Sequence, residues 1–267
     1  MRVEAAEPVS YALRLGSDEV RLDQHLGATL SLAFTGAIHC VACGRATRRS
    51  FGQGHCYPCF TRLAACDTCI VRPELCHFDA GTCREPDWGL DHCMRPHVVY
   101  LANSSGLKVG ITRETQIPTR WIDQGAVAAV PVLRVGSRRA SGLVEAALKD
   151  GLSDRTDWRA MLRGDPEAVD LEAARASLRD RLDAVAAAAA AAEPRAEPVE
   201  LSDAEVRRFT YPVLEYPIRV RSLDPTKVRH IEGTLLGIKG QYLILDVGVL
   251  NVRRFAGYEV EMAVTTA

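Results

Sequence analysis

Around the middle of the chain the apolar positions fall in short, separate runs. Val98-Val99-Tyr100-Leu101 is unbroken and reads as a buried strand. Asn103-Ser104-Ser105-Gly106 is a turn cluster, and Leu107 to Ile111 returns as the partner strand. Residues 117–123 have helical spacing and stop at Gly125. Residues 126–135 contain AVPVLRV, a third strand. Ser137 then caps a helix predicted over 138–151, with Leu143, Val144, Ala147 and Leu148 on its apolar side. The order is strand, strand, helix, strand, helix.

Either side, the pattern changes. Residues 9–38 carry three short strand patterns, at 11–15, 20–22 and 29–34, too few to stand alone. Residues 166–192 form one alanine-rich helical pattern, entered through Asp165-Pro166 and broken by the Glu-Pro repeats of 193–198. From 218 onward, strands recur at 218–220, 230–238, 241–247, 249–255 and 258–264 with glycine-marked turns, which predicts a small barrel of the OB or SH3 kind. The expected fold class is α+β and multidomain. Its predicted parts are an N-terminal β segment over 1–39, the candidate piece for completing the barrel, a zinc-ribbon-like block over 40–97, an α/β domain over 98–163, a helical spacer over 164–200 and the C-terminal β domain over 201–267.

Composition narrows the function classes. With 47% apolar and 25% charged residues in 267, the chain has the make-up of a folded globular protein. A formal net charge of −1 excludes a molecule-wide cationic field, so any nucleic-acid contact must come from a local patch. Of 33 basic residues only Lys108, Lys149, Lys227 and Lys239 are lysines, so each of the four is more informative. The N-terminal MRVEAAEPVS is charged and lacks an apolar core, and no apolar run reaches membrane-spanning length. A cytoplasmic protein without a membrane segment is the expectation, and there its nine cysteines stay reduced and read as metal ligands.

Cys40-Val41-Ala42-Cys43 and Cys56-Tyr57-Pro58-Cys59 are two Cys-x-x-Cys pairs. Each knuckle presents two thiolates from one tight turn, and two knuckles close a tetrahedral zinc site. A redox dithiol, the competing reading, lacks its βαβ context here. A third pair, Cys66 and Cys69, is followed by Cys76, His77, Cys83, His92, Cys93 and His97. The simplest second site takes Cys66 and Cys69 with two of Cys76, Cys83 and Cys93; a third site using histidines stays open, giving one to three structural Zn²⁺. For His77 and His97 an ordinary hydrogen-bonded role competes with ligation. Residues 40–97 have few large aliphatic side chains, so metal substitutes for a core and chelation is expected to unfold the block.

The element order after residue 97, with Tyr100 on the first strand, a glycine in KVG on the second, Arg120 on the first helix and Glu145 on the second, resembles the GIY-YIG endonuclease superfamily. VVY stands where that family has GIY, and KVG where it has YIG. The likeness covers residues 97–163. Lys108 replaces the second tyrosine, as it does in some restriction enzymes of the superfamily, and the usual histidine after the arginine is not evident. The resemblance implies Mg²⁺-dependent phosphodiester cleavage. In that reading Tyr100 is the base, its phenolate favoured by Lys108; Arg120 holds the scissile phosphate with its planar fork; and Glu145 binds one Mg²⁺. The bland readings of the same residues are a strand aromatic, two solvated cations and an outer-face glutamate. The wider pattern, with SFGQGHCYPCF, CHF, GTCREP and GIKGQYL, is similar to a bacterial family of uncharacterised zinc-containing proteins.

Two further stretches suggest nucleic-acid contact. Arg155 and Arg159 flank Trp158 in a basic stretch, and Lys239 lies between Gly237 and Gly240, where a partner can approach the backbone. The competing readings, a solvated helix with Trp158 in the core and a structural or dimerising barrel, carry more weight from these residues. The expectation is a zinc-stabilised nucleic-acid-binding protein, for DNA or RNA, with a nuclease-like domain. The alternative is a non-catalytic nucleic-acid- or protein-binding module that keeps the fold.

Overall fold

The computed structural model describes residues 1–149, 152–193, 195–201 and 203–265. In chain order its elements begin with β1 (Arg2–Glu4), β2 (Ser10–Leu15), β3 (Asp18–Arg21) and β4 (Thr29–Ile38). The cysteine block follows, with only two short helices, α1 (Tyr57–Arg62) and α2 (Pro86–His92), among turns. Then come β5 (His97–Asn103), β6 (Leu107–Arg113), α3 (Thr119–Asp123), β7 (Ala128–Val135) and α4 (Arg138–Leu148). The helices α5 (Trp158–Met161), α6 (Leu171–Ser177) and α7 (Arg179–Ala192) lead to β8 (Val199–Glu200) and β9 (Arg207–Arg208). The chain finishes with β10 (His230–Lys239), β11 (Tyr242–Leu245), β12 (Gly248–Asn251) and β13 (Tyr258–Thr265). The middle segment therefore has the predicted element order. Ser137 caps α4 by accepting from the Ala140 amide, while the predicted end of that helix at Gly151 falls outside the described residues.

Among the described residues three sheets form. β1, β2 and β3 form an antiparallel sheet; β6-β5-β7 forms the second, extended by β8, with β9 also on β7; and β12-β11-β10-β4-β13 forms the third. The third sheet corrects the barrel expectation. It is open, with β12 and β13 as its edges. β4, which the sequence places in the N-terminal segment, is one of its interior strands. It pairs with β10 on one side, Leu30 opposite Gly233, and with β13 on the other, Leu32 opposite Met262. β13 carries no buried residue along its length, which suits an edge strand and not one closed on both sides. The predicted strand at 218–220 is absent, and Ile218 is almost fully exposed.

Alternation along β5 divides the apolar residues between two cores. Val98, Tyr100 and Ala102 face a core shared with Tyr11, Leu13, Leu30, Trp121 and Leu243, which joins all three sheets. Val99 and Leu101 face the other core, with Val109, Val130, Val144 and Leu148. The alanine-rich stretch does not stand off as a spacer. It breaks at Leu178, and Leu171, Leu182 and Ala189 pack into that second core beside α4. The candidate chemistry sits on the face of β5 and β6 turned toward the first core.

Candidate functional site

The site begins with strand register. Tyr100 faces Gly110 across β5 and β6, and Ala102 faces Lys108, so Tyr100, Lys108 and Gly110 share one face. Glycine at 110 leaves room for the phenol to lie across β6: a Cβ there would fall 2.6 Å from the Tyr100 oxygen. Gln124, just after α3, joins the two side chains. Its Nε2 donates to Tyr100 Oη at 2.6 Å, while Lys108 Nζ donates to its Oε1. Lys108 also donates to Thr156 Oγ1 at 3.0 Å. Both are deeply buried, Tyr100 at 1% and Lys108 at 4% exposure.

Burial works in opposite directions on these two groups. It pushes the Tyr100 phenol above its ordinary range, and the charge of Arg120 and the hydrogen bond from Gln124 offset this only partly. It brings the Lys108 ammonium down to about 8, helped by repulsion from Arg120 and opposed by Glu145 and Asp154. This alters the expected division of labour, in which Lys108 was to favour the Tyr100 phenolate. The groups that most favour the phenolate are Arg120 and Gln124.

Arg120, on α3, is exposed, and its charge acts on the phenol. Glu145, on α4, is mostly buried, and burial raises its carboxyl above the usual range, with further upward push from Asp154. Lys149 spans the two carboxylates, 3.8 Å from Glu145 and 3.0 Å from Asp154. The Lys149 ammonium thus holds the two carboxylates beside each other. Arg120 and Glu145 lie within electrostatic reach of both Tyr100 and Lys108. Gln124, Thr156 and Asp154, which complete the site, escape sequence reading because they come from a turn and a loop without periodicity. The one signal was the Ser153-Asp154-Arg155-Thr156 cluster after α4, whose Ser153 carbonyl accepts from the Val109 amide at 2.9 Å.

The first cysteine group closes as predicted. Sulfur atoms of Cys40, Cys43, Cys56 and Cys59 all lie within 4.8 Å of one another, and all but Cys43 are buried. Burial pushes the Cys40 thiol up, yet backbone amides of Cys56, Cys43 and Ala42 outweigh it and bring it down to about 6. Cys59 goes the other way, to about 12, through its hydrogen bond with Cys56, burial and crowding by Cys43 and Cys40. Four soft donors gathered within reach of one another fit a structural metal. This knuckle is fixed to the third sheet through the His39 amide, which donates to the Gly257 carbonyl at 2.7 Å.

The remaining cysteines depart from the expected pairing. Cys66 does not join Cys69. Asp67 between them is extended (φ −69°, ψ 155°), and Cys66 lies within electrostatic reach of Arg84 and Cys40 of the first group. Donor atoms of Asp67, Cys69 and His77 gather within 4.8 Å. The other histidines are engaged elsewhere: His92 Nδ1 with the Trp88 carbonyl at 2.9 Å, and His97 Nδ1 with the Arg95 carbonyl at 2.7 Å. Burial brings His97 down to about 4, so its ring is neutral.

The expected nucleic-acid contacts divide. Lys239 is wholly buried, its Nζ 2.7 Å from Asp165 and donating to the Gly164 carbonyl at 3.1 Å, with the Tyr211 and Tyr216 rings about it. It is a structural cation, unavailable to a partner. Gly240 is indeed closely approached, but by the Asp123 carbonyl of this chain. Arg155 and Arg159 are exposed, and the Arg159 guanidinium lies 4.2 Å from the Trp158 ring centroid.

Four thiols closing on one point, in loops with almost no aliphatic core, define a metal-binding protein. Among the described residues no helix is long and apolar enough to cross a membrane. The chain belongs to the family described as "Protein of unknown function (DUF2797)", whose model matches residues 27–260. No curated protein and no solved structure matches it.

Proposed function

We propose that this is a zinc-stabilised nucleic-acid-binding protein that cleaves phosphodiester bonds at the site formed by Tyr100, Lys108, Arg120 and Glu145. The observation that carries the reading is the shared Gln124: it ties Tyr100 to a lysine whose pKa is about 8, with Arg120 and Glu145 near enough to act on both. Lys108, in the place of the second family tyrosine, is then the proton acceptor nearer neutrality, and takes the proton of the attacking water. Tyr100 positions that amine through Gln124. Arg120, the exposed member, grips the phosphate oxygens with its fork. Glu145 and Asp154 would hold Mg²⁺, which when bound supplies positive charge to the developing oxyanion. Four soft thiolates at Cys40, Cys43, Cys56 and Cys59 favour Zn²⁺ as the structural ion.

Incubating the full-length protein with labelled DNA and RNA, with Mg²⁺ or Mn²⁺, tests this reading. Cleavage is expected, and is expected to vanish in Glu145→Ala and Arg120→Ala. Cleavage that persists unchanged in both variants overturns it.

The burial of Tyr100 and Lys108 favours a second reading. In it the same residues hold together a non-catalytic module that binds nucleic acid or protein. Binding without cleavage across substrates and metals selects it, and failure to bind any polynucleotide at low salt selects a protein partner.

A further inference from the structure

Four cysteines remain after the first cage is complete and Cys66 is set aside. Cys69 lies in the single turn Thr68–Ile70, and Cys76 ends the turn Pro73–Leu75. Cys83 follows in the next loop, and Cys93 closes α2. Widely spaced in sequence, all four line one small cavity of about 10 Å³, walled by Phe78 and Trp88. That volume is near the least that admits one water-sized species. Cys66 is not part of its wall. We infer that Cys69, Cys76, Cys83 and Cys93 form a second four-thiolate metal centre, of the zinc type, which seats the helix carrying Glu145.

Three features of the surroundings support this. First, Asp67 and His77, the other donors nearby, are already satisfied. Asp67 accepts from Arg84 Nε at 2.8 Å and from the Thr68 amide at 2.6 Å, and His77 pairs through Nδ1 with Thr82 Oγ1 at 2.8 Å. They line the same cavity and pair with each other, His77 Nε2 3.4 Å from Asp67, so the donors left over there are the sulfurs.

Second, Arg138 stands beside the cavity, within electrostatic reach of Cys93 and Cys69, and its buried Nε has no partner among the described residues. A dry guanidinium with an unused N–H needs a nearby anion. Zinc held by four thiolates carries a net charge of −2, so the metal-loaded centre supplies that anion where neutral thiols do not.

Third, the same contacts position α4. Arg138 is its first residue: its amide donates to the Cys93 carbonyl at 2.8 Å and its Nη2 to the Ile70 carbonyl at 2.5 Å. One turn on, α4 lies so close to the turn Pro73–Leu75 that a Cβ at Gly142 would fall 2.5 Å from Pro73 Cβ. Glu145 follows on the same short helix. The centre itself does not depend on the nuclease reading; only its use as a seat for Glu145 does.

Alkylation of the native, metal-loaded full-length chain by N-ethylmaleimide, mapped by mass spectrometry, tests the centre without a variant. Cys66 is expected to react while the other eight cysteines are protected, and a chelator is expected to expose all nine. Modification of Cys69, Cys76, Cys83 and Cys93 at the rate of Cys66 overturns the proposal. Native mass spectrometry gives an independent count. Two metal ions per chain are expected for the unaltered protein and for Cys66→Ser, Asp67→Asn and His77→Gln, and one for Cys83→Ser. One ion in the unaltered protein, or two in Cys83→Ser, overturns it. Loss of an ion in both Asp67→Asn and His77→Gln, with Cys83→Ser unaffected, assigns the ion to the Asp67, Cys69 and His77 group instead.

Discussion

Tyr100 and Gly110 stand directly opposite each other in β5 and β6, and the phenol occupies the space a side chain at 110 would need. The ring cannot yield easily, because Trp121 packs edge-on against it with centroids 5.8 Å apart. Gly110→Ala is therefore expected to cost about 1–3 kcal/mol, the usual range for overpacking a core. It also pushes Tyr100 Oη away from Gln124. Urea denaturation of the two proteins measures the loss, and equal midpoints would show that the sheet absorbs the methyl group.

Lys108 should be a residue the fold would be more stable without. A drop from 10.5 to about 8 corresponds to about 3 kcal/mol of penalty on the buried ammonium. The full penalty applies below pH 8, where folded and unfolded chains both carry the charge. It shrinks between pH 8 and 10.5, where only the unfolded chain is protonated, and is gone above that. Lys108→Met also loses hydrogen bonds to Gln124 and Thr156, so a net gain of about 0–2 kcal/mol at pH 7 is expected. Denaturation midpoints across pH 7 to 10.5 check both the sign and the window. A variant less stable at pH 7 would mean that the hydrogen bonds outweigh the burial.

Cys43→Ser opens the first cage at its exposed corner. Because the His39 amide bonds to Gly257 and the Val41 amide to Gly54, the effect should spread from the knuckle to the turn before β13. Hydrogen exchange is expected to rise around 39–60 and 254–258 and to stay unchanged in β5 and β6. Uniform exchange across the molecule would instead identify the cage as a support of the whole fold.

Lys239 and Arg159 separate burial from contact. Lys239→Met removes a wholly buried cation, and Arg159→Ala removes an exposed one stacked on Trp158. Fluorescence anisotropy with a labelled oligonucleotide at low salt should show unchanged binding for the first and severalfold weaker binding for the second. The reverse order would show that the C-terminal sheet opens to its partner.

The parts that sequence alone revealed are those with a local period or a fixed spacing. Tyr100 and Lys108 were legible because strand alternation and a short turn set their register. The first cage was legible because each Cys-x-x-Cys pair is one turn. Cys66 and Cys69 share that spacing but not that turn, since extended Asp67 sends them to different neighbours. Lys239 misled for a related reason: its flanking glycines do mark a close approach, but by Asp123 and Val213 of the same chain. Gln124 and Thr156 meet Lys108 across 16 and 48 residues of chain. Such meetings follow from tertiary packing, which no pattern around either residue encodes. The missing barrel closure has the same origin, since β12 and β13 lie at opposite ends of the sheet and do not pair with each other.

That placement of β4 has a consequence during synthesis. β4 leaves the ribosome early, yet both of its strand partners, β10 and β13, come some 200 residues later, a wait of roughly 10–40 s at ordinary elongation rates. Until then Leu30 and Leu32, buried in the finished sheet, have no strand to pair with. Both cysteine clusters are complete long before β10 appears. Metal capture can thus give the nascent chain its first fixed points, with β4 tethered beside Cys40 while its partners are still being made.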